Sequence, residues 1–117
     1  MAHKLTPDLV KKRMAGERVS LVGGAGFIGH NLALALRQIG VEVQIVDNLM
    51  QNNMLANVSD MDIDDFRRQL THNFLVQRFE MMRNAGVVMD NADARSMTDL
   101  AETLKRFQPT KIVHLSA

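Results

Sequence analysis

Four glycines occur within the seven residues 23–29, GGAGFIG, and this cluster constrains the fold more than any other part of the chain. A β-strand pattern, residues 18–22, precedes the cluster, and a helical pattern that begins at Phe27 follows it. Glycine weakens both strands and helices. Its concentration at this junction therefore indicates a strand-to-helix turn that requires backbone without side chains.

Within this turn, Gly23, Gly26 and Gly29 have the spacing G-x-x-G-x-x-G. The first glycine allows a sharp turn out of the strand, the second lets the backbone approach a diphosphate, and the third lets the helix pack tightly on a sheet. The helix start also leaves backbone N–H groups without partners at the positive end of the helix dipole. We therefore predict that the N–H groups near Gly26, Phe27 and Ile28 bind a dinucleotide diphosphate. A tight turn that binds nothing is the alternative interpretation.

An acidic residue follows at the spacing that such a site requires. Asp47 ends the next predicted strand, residues 41–47, at roughly the 20-residue separation typical of ribose-binding acids. Its carboxylate can accept hydrogen bonds from the adenosine ribose and would repel a 2′-phosphate. No Arg or Lys follows it closely, so the pattern favours NAD over NADP. The alternative is a solvated loop acid.

The rest of the chain alternates between strand and helix patterns. After a short helix at 6–15, strands are predicted at 18–22, 41–47, 86–92 and 111–117, and helices at 27–39, 63–85 and 97–107. This alternation is typical of parallel strands joined by right-handed crossovers. We predict the first half of a Rossmann-like, doubly wound α/β sheet with strand order 3-2-1-4, formed as one domain by residues 1–117. In this prediction residues 48–65 are a loop, and the apolar stripe of the 63–85 helix is Phe66, Leu70, Phe74 and Met82.

Composition excludes several classes of function. The 117 residues carry a formal net charge of +1 and no cysteine, so we expect neither nucleic-acid nor membrane binding, and neither thiolate catalysis nor disulfides. The four histidines are scattered without metal-ligand spacing, and we predict no metal site. No apolar run reaches the ~18 residues of a membrane span. The absence of cysteine fits a reducing cytoplasm, and we expect a cytoplasmic protein.

Four segments in order carry a family resemblance: GGAGFIG (23–29), VDNL (46–49), DAR (93–95) and IVHLSA (112–117). Together they resemble the extended branch of the short-chain dehydrogenases/reductases, the NAD-dependent sugar epimerases and dehydratases. The resemblance extends from about residue 17 to 117. The chain departs from the family pattern at His30, among other positions. We expect a surface histidine there, with a phosphate contact as the alternative.

The resemblance implies NAD as the cofactor and a role for individual residues. Asn48 would lie beside the adenosine ribose held by Asp47. Asp93 would contact the adenine amino group, with Ala94 contributing its backbone. The strand end near the nicotinamide ribose would be formed by Leu115, Ser116 and Ala117.

The family's catalytic pair has no counterpart in this chain. Members use a Tyr-x-x-x-Lys pair, in which the tyrosinate takes a proton from a sugar hydroxyl while hydride moves to the nicotinamide, and this sequence has no tyrosine. We therefore predict no catalytic residue here. We expect the NAD-binding portion of a nucleotide-sugar epimerase or dehydratase-type oxidoreductase, truncated before its catalytic and substrate-binding part and inactive by itself.

Two further expectations follow from the same sequence. The alternative function is a non-catalytic dinucleotide-binding module that regulates or senses through a partner. Strand 111–117 would form an exposed apolar sheet edge, and such edges recruit further strands. We therefore expect homo-oligomers.

Overall fold

One parallel sheet with helices on both faces forms the fold in a computed structural model that describes residues 4–48 and 65–115. The strand order is β3-β2-β1-β4, which confirms the predicted topology. The helices are α1 (Pro7–Met14), α2 (Phe27–Gln38), α3 (Asp65–Asn84) and α4 (Met97–Phe107). The strands are β1 (Arg18–Val22), β2 (Glu42–Asp47), β3 (Val88–Asn91) and β4 (Lys111–His114). Most of the predicted loop, residues 49–64, lies outside the described residues.

The central strand β1 pairs in parallel with β2 on one side and β4 on the other. Leu21 lies opposite Ile45 of β2 and Val113 of β4. Because all strands run in the same direction, their carboxyl ends meet at one edge of the sheet. The glycine turn after β1 and Asp47 at the end of β2 are therefore neighbours at that edge.

The main core lies between the sheet and the helices α2 and α3. Leu21 and Ile45 are fully buried on this face, where Ala33 of α2 and Met82 of α3 pack against them. Burying one such large apolar side chain stabilises a fold by about 1.5–3 kcal/mol. This layer therefore fixes α2, and with it the glycine turn, against the sheet. Among the described residues, no helix is both long and apolar enough to cross a membrane.

Helix α3 packs through a different face from the stripe that the sequence predicts. Leu75 and Met82 are buried, whereas Leu70 is 43% and Phe74 59% exposed. Phe79, between the two buried residues, packs against the main core. The predicted stripe is thus correct at Met82 and wrong at Leu70 and Phe74. Apolar residues occur on more than one side of this helix, so periodicity alone does not decide which side faces the sheet.

A chain of buried polar groups crosses the opposite face of the sheet beneath α4. The Ser20 hydroxyl donates to Gln44 Oε1 at 2.5 Å, and Gln44 Nε2 donates to Asp90 Oδ2 at 2.7 Å and to the Thr103 carbonyl at 3.1 Å. Ser20 and Gln44 are fully buried. These hydrogen bonds join β1, β2, β3 and α4 in one network.

Replacing Ser20 with alanine should destabilise the fold by about 1–3 kcal/mol, since Gln44 Oε1 would lose its donor in a buried site. Urea unfolding of wild type and variant measures this loss. The double variant Ser20→Ala/Gln44→Leu should not recover this loss, because it also removes the hydrogen bonds that Gln44 Nε2 donates to Asp90 Oδ2 and the Thr103 carbonyl. A single variant as stable as wild type would show that the network contributes nothing.

Candidate dinucleotide-binding site

The turn after β1 begins with a glycine in the left-handed region. Gly23 has φ +78°, a backbone conformation that residues with a side chain rarely adopt. The Gly23 N–H donates to the Val46 carbonyl of β2 at 2.7 Å, so the first residue of the turn is still hydrogen-bonded to the sheet. Gly26 is the N-cap of α2 in extended conformation, and the helix begins at Phe27 as predicted.

Gly29 and Gly26 differ sharply in what surrounds them. A Cβ at Gly29 would lie 2.1 Å from the Gly24 carbonyl oxygen and 2.5 Å from Gly24 Cα. Around Gly26, by contrast, no described atom comes within 4 Å of an added Cβ. Gly29 is therefore required by packing inside the turn. Gly26 leaves the turn open on the side from which a ligand can approach the backbone.

The first turn of α2 presents backbone and apolar groups to this open side. Within the described residues, α2 has no side-chain cap, because its N-cap is a glycine. Phe27 is 72% and Ile28 68% exposed. The N–H groups at this helix start lie at the positive end of the helix dipole, an arrangement that binds anions.

His30 is buried rather than on the surface, so the expectation of a surface histidine is wrong. It is 8% exposed, and its Nδ1 lies 3.1 Å from the Gly26 carbonyl oxygen. Its ring meets the Phe27 ring edge-on, with 5.7 Å between the ring centroids. His30 thus packs into the first turn of α2 and holds the Gly26 carbonyl.

Asp47 lies directly against the glycine turn. Its Oδ2 accepts a hydrogen bond from the Ala25 N–H at 3.0 Å. Asn48, the next residue, is half-buried. The structure thus brings the predicted ribose-binding acid to the predicted diphosphate-binding turn. Beside Asp47 is a cavity of about 300 Å³, lined by Ala25, Ile45, Asp47, Phe79, Met89, Asp90 and Asn91.

The end of β3 joins the same edge of the sheet. The Ala92 N–H donates to the Asp47 carbonyl at 3.2 Å, and Ala94 packs against the small buried cluster of Val22, Val46 and Ala92. Asp93, between the two alanines, is hydrogen-bonded by the Arg95 side chain and backbone N–H. These contacts, the side-chain hydrogen bond above all, lower the pKa of the Asp93 carboxyl. It is therefore ionised at neutral pH and suited to accept a hydrogen bond from an amino group.

The far end of the predicted site follows β4. The Leu115 N–H donates to the Val22 carbonyl at 2.7 Å, which places Leu115 beside the start of the glycine turn. Its side chain packs on the main core. Ser116 and Ala117, the other two residues predicted at this strand end, lie outside the described residues.

One residue that contacts the turn is not among the predicted site residues. Arg78 of α3 donates from Nη1 to the Ala25 carbonyl oxygen at 3.1 Å. The helical pattern contains a signal for it, since Arg78 lies between Leu75 and Met82 at spacings that place all three on one face. That signal becomes visible only when Leu75, rather than Phe74, is known to face the core.

Residues 19–117 match the sequence model of the NAD-dependent epimerase/dehydratase family. The chain belongs to this family. The match covers most of the chain and includes the glycine turn, Asp47, Asp93 and Leu115. NAD is the cofactor of this family, in agreement with the cofactor predicted from the sequence.

Two of the solved structures with a similar fold illustrate the likeness. The UDP-glucose 4-epimerase of Stenotrophomonas maltophila, solved with bound NAD and formylated UDP-arabinopyranose, is 25% identical, with a TM-score of 0.58 over 86% of this chain. The Bordetella bronchiseptica enzyme WbmG, solved in complex with NAD, is 21% identical, with a TM-score of 0.56 over 97% of this chain. The matched regions are 24% and 27% of those chains, so this chain spans about a quarter of their length.

Proposed function

We propose that this chain is the NAD-binding portion of a nucleotide-sugar epimerase or dehydratase. The observation that carries the proposal is the contact between Asp47 and the glycine turn, in which Asp47 Oδ2 accepts the Ala25 N–H at 3.0 Å. It brings the proposed ribose-binding acid and an open helix start, whose N-cap is a glycine, to the same edge of the sheet. Membership of the NAD-dependent family supports the same cofactor.

Each part of the cofactor has a proposed place on the chain. The N–H groups near Gly26, Phe27 and Ile28 bind the diphosphate, because backbone donors and the helix dipole favour an anion there. Asp47 binds the adenosine ribose hydroxyls, with Asn48 beside it. The remaining proposed contacts are Asp93 and Ala94 to adenine and Leu115, Ser116 and Ala117 to the nicotinamide ribose.

When bound, NAD accepts and returns a hydride, and this chain's own residues bind and orient it. Proton transfer to or from the sugar requires another group, since the sequence contains no tyrosine for the family's Tyr-x-x-x-Lys pair. We therefore propose that residues 1–117 form a dinucleotide-binding domain that is inactive alone. A nucleotide-sugar substrate is supported by the formylated UDP-arabinopyranose in the Stenotrophomonas maltophila epimerase.

The same lack of tyrosine favours a second candidate, a non-catalytic module that binds a partner in an NAD-dependent manner. Homo-oligomerisation also stays a prediction. It is supported by the position of β4 at one end of the described strand order and by Ile112 on that strand, which is 54% exposed. The cytoplasmic location likewise stays a prediction, based on the absence of cysteine.

Wild-type chain should bind NAD more tightly than NADP, because Asp47 would repel a 2′-phosphate. Asp47→Asn should weaken NAD binding by at least about tenfold, the lower limit for one hydrogen bond to a charged group, and should reduce the preference for NAD over NADP. Asparagine retains an acceptor for the Ala25 N–H, so the turn should remain intact. Isothermal titration calorimetry with each dinucleotide measures both effects.

Glu42→Gln is the matched control, since Glu42 is the first residue of β2 and Asp47 is the last. It removes the same charge from β2 and should leave the affinities for NAD and NADP unchanged. Absence of NAD binding by folded wild-type chain would overturn the proposed function. An Asp47→Asn variant with wild-type affinities would overturn only the role of Asp47.

A further inference from the structure

The main-chain groups of one buried residue in the glycine turn are held by two charged side chains. The Ala25 N–H donates to Asp47 Oδ2 at 3.0 Å, and the Ala25 carbonyl accepts from Arg78 Nη1 at 3.1 Å. Ala25 itself is 1% exposed. The acid comes from β2 and the arginine from α3, so two separate elements fix the orientation of this residue.

The Ala25 carbonyl controls a neighbouring N–H group. A peptide bond is planar and trans, so the carbonyl of one residue and the N–H of the next point in opposite directions as one rigid unit. The unit that contains the Ala25 carbonyl also contains the Gly26 N–H. When Arg78 holds that carbonyl, it fixes the direction of the Gly26 N–H as well.

The residue after Ala25 leaves the peptide open on one side. Gly24, before Ala25, is closely packed by Leu21 and Ile45, but Gly26 is not, and glycine reaches more backbone conformations than any other residue. No described atom lies within 4 Å of an added Cβ at Gly26, so packing on that side does not hold the peptide. A charge-assisted hydrogen bond to the carbonyl is stronger than a neutral one and supplies the missing constraint.

The position of Arg78 on α3 is itself fixed by the core. Leu75 and Met82 are buried, and Phe79 packs against the same cluster. These neighbours hold this face of the helix against the sheet. The guanidinium therefore approaches the turn from a rigid base rather than from a mobile surface.

We propose that Arg78 is a positioning residue for NAD, which orients the Ala25–Gly26 peptide so that the Gly26 N–H faces the diphosphate. The inference rests on the proposed function, because it assumes that the diphosphate binds at this turn. It adds α3, which lies far outside the glycine motif in sequence, to the elements that determine NAD affinity. Arg78 acts through the turn and need not touch the cofactor.

The test separates ligands that contain the diphosphate from one that lacks it. NAD and ADP are titrated by calorimetry, and adenosine by NMR, which measures weak binding. Arg78→Met should weaken the binding of NAD and of ADP by at least about tenfold, the lower limit for one hydrogen bond to a charged group, and leave adenosine binding unchanged. Arg78→Lys keeps the charge and a donor, so its affinities for NAD and ADP should lie between those of Arg78→Met and wild type. Circular dichroism confirms that each variant is folded.

Arg83→Met is the matched control, because Arg83 is an exposed arginine in the last turn of the same helix. It should bind all three ligands as wild type does. Arg78→Met with unchanged ADP affinity, or with an equal loss for ADP and adenosine, would overturn the proposal. If Arg78→Met does not fold, Arg78→Lys decides by the same comparison of ADP with adenosine. Failure of wild-type chain to bind NAD at all would instead overturn the proposed function.

Discussion

Gly29→Ala should destabilise the protein by at least about 3 kcal/mol, the upper end of what overpacking usually costs. The new Cβ would lie 2.1 Å from the Gly24 carbonyl oxygen and 2.4 Å from the Gly24 carbonyl carbon. Both atoms belong to the backbone, so neither can rotate away as the end of a side chain could. The turn must open, and α2 must then move away from the sheet that it packs against. Urea unfolding followed by circular dichroism measures the loss.

Gly26→Ala is the control, since it makes the same chemical change three residues earlier in the same turn. Gly26 has φ −76°, which alanine adopts readily, and no described atom within 4 Å of the added Cβ. The Gly26→Ala variant should therefore lose no more than about 1 kcal/mol of stability, the preference for glycine over alanine at an N-cap. Equal stability of Gly29→Ala and wild type would mean that the third glycine has no packing role in this turn.

Local signals explain why so much of the fold could be predicted from the sequence. Helix α4 begins and ends at the predicted residues, because the Ser96 side chain accepts the Asp99 N–H at 3.3 Å and Gln108 ends the helix in the left-handed region. Helix α1 likewise begins after Thr6, whose side chain accepts the Leu9 N–H. Caps and turns involve residues close in sequence. The order of the strands is the one typical of a doubly wound sheet, which the glycine turn and the alternation of strands and helices predict.

The parts that the sequence did not reveal depend on contacts between distant segments. The pairing of Ala25 with both Asp47 and Arg78 requires β2 and α3 to be in place around the turn. The choice of face on α3 depends on the sheet rather than on the helix. In each case the sequence contains the residues but not the three-dimensional neighbour that determines their role.

Gly26→Val is expected to reduce NAD affinity by at least about 100-fold while the protein stays folded. The branched side chain would fill the open space through which the diphosphate reaches the backbone. Loss of two hydrogen bonds to a charged group, at about 1.5–3 kcal/mol each, accounts for this magnitude. Valine accepts the extended conformation of Gly26, φ −76° and ψ −174°, so the turn itself should persist. Calorimetric titration with NAD measures the affinity.

Ala35→Val provides the control on the same helix. Ala35 is exposed in the middle of α2, and Ala35→Val introduces the same branched side chain without approaching the turn. It should lower stability by less than about 1 kcal/mol through helix propensity and leave NAD binding unchanged. A folded Gly26→Val variant with wild-type NAD affinity would place the diphosphate elsewhere. Since Arg78 acts on the Gly26 N–H, that result would remove the proposed role of Arg78 as well.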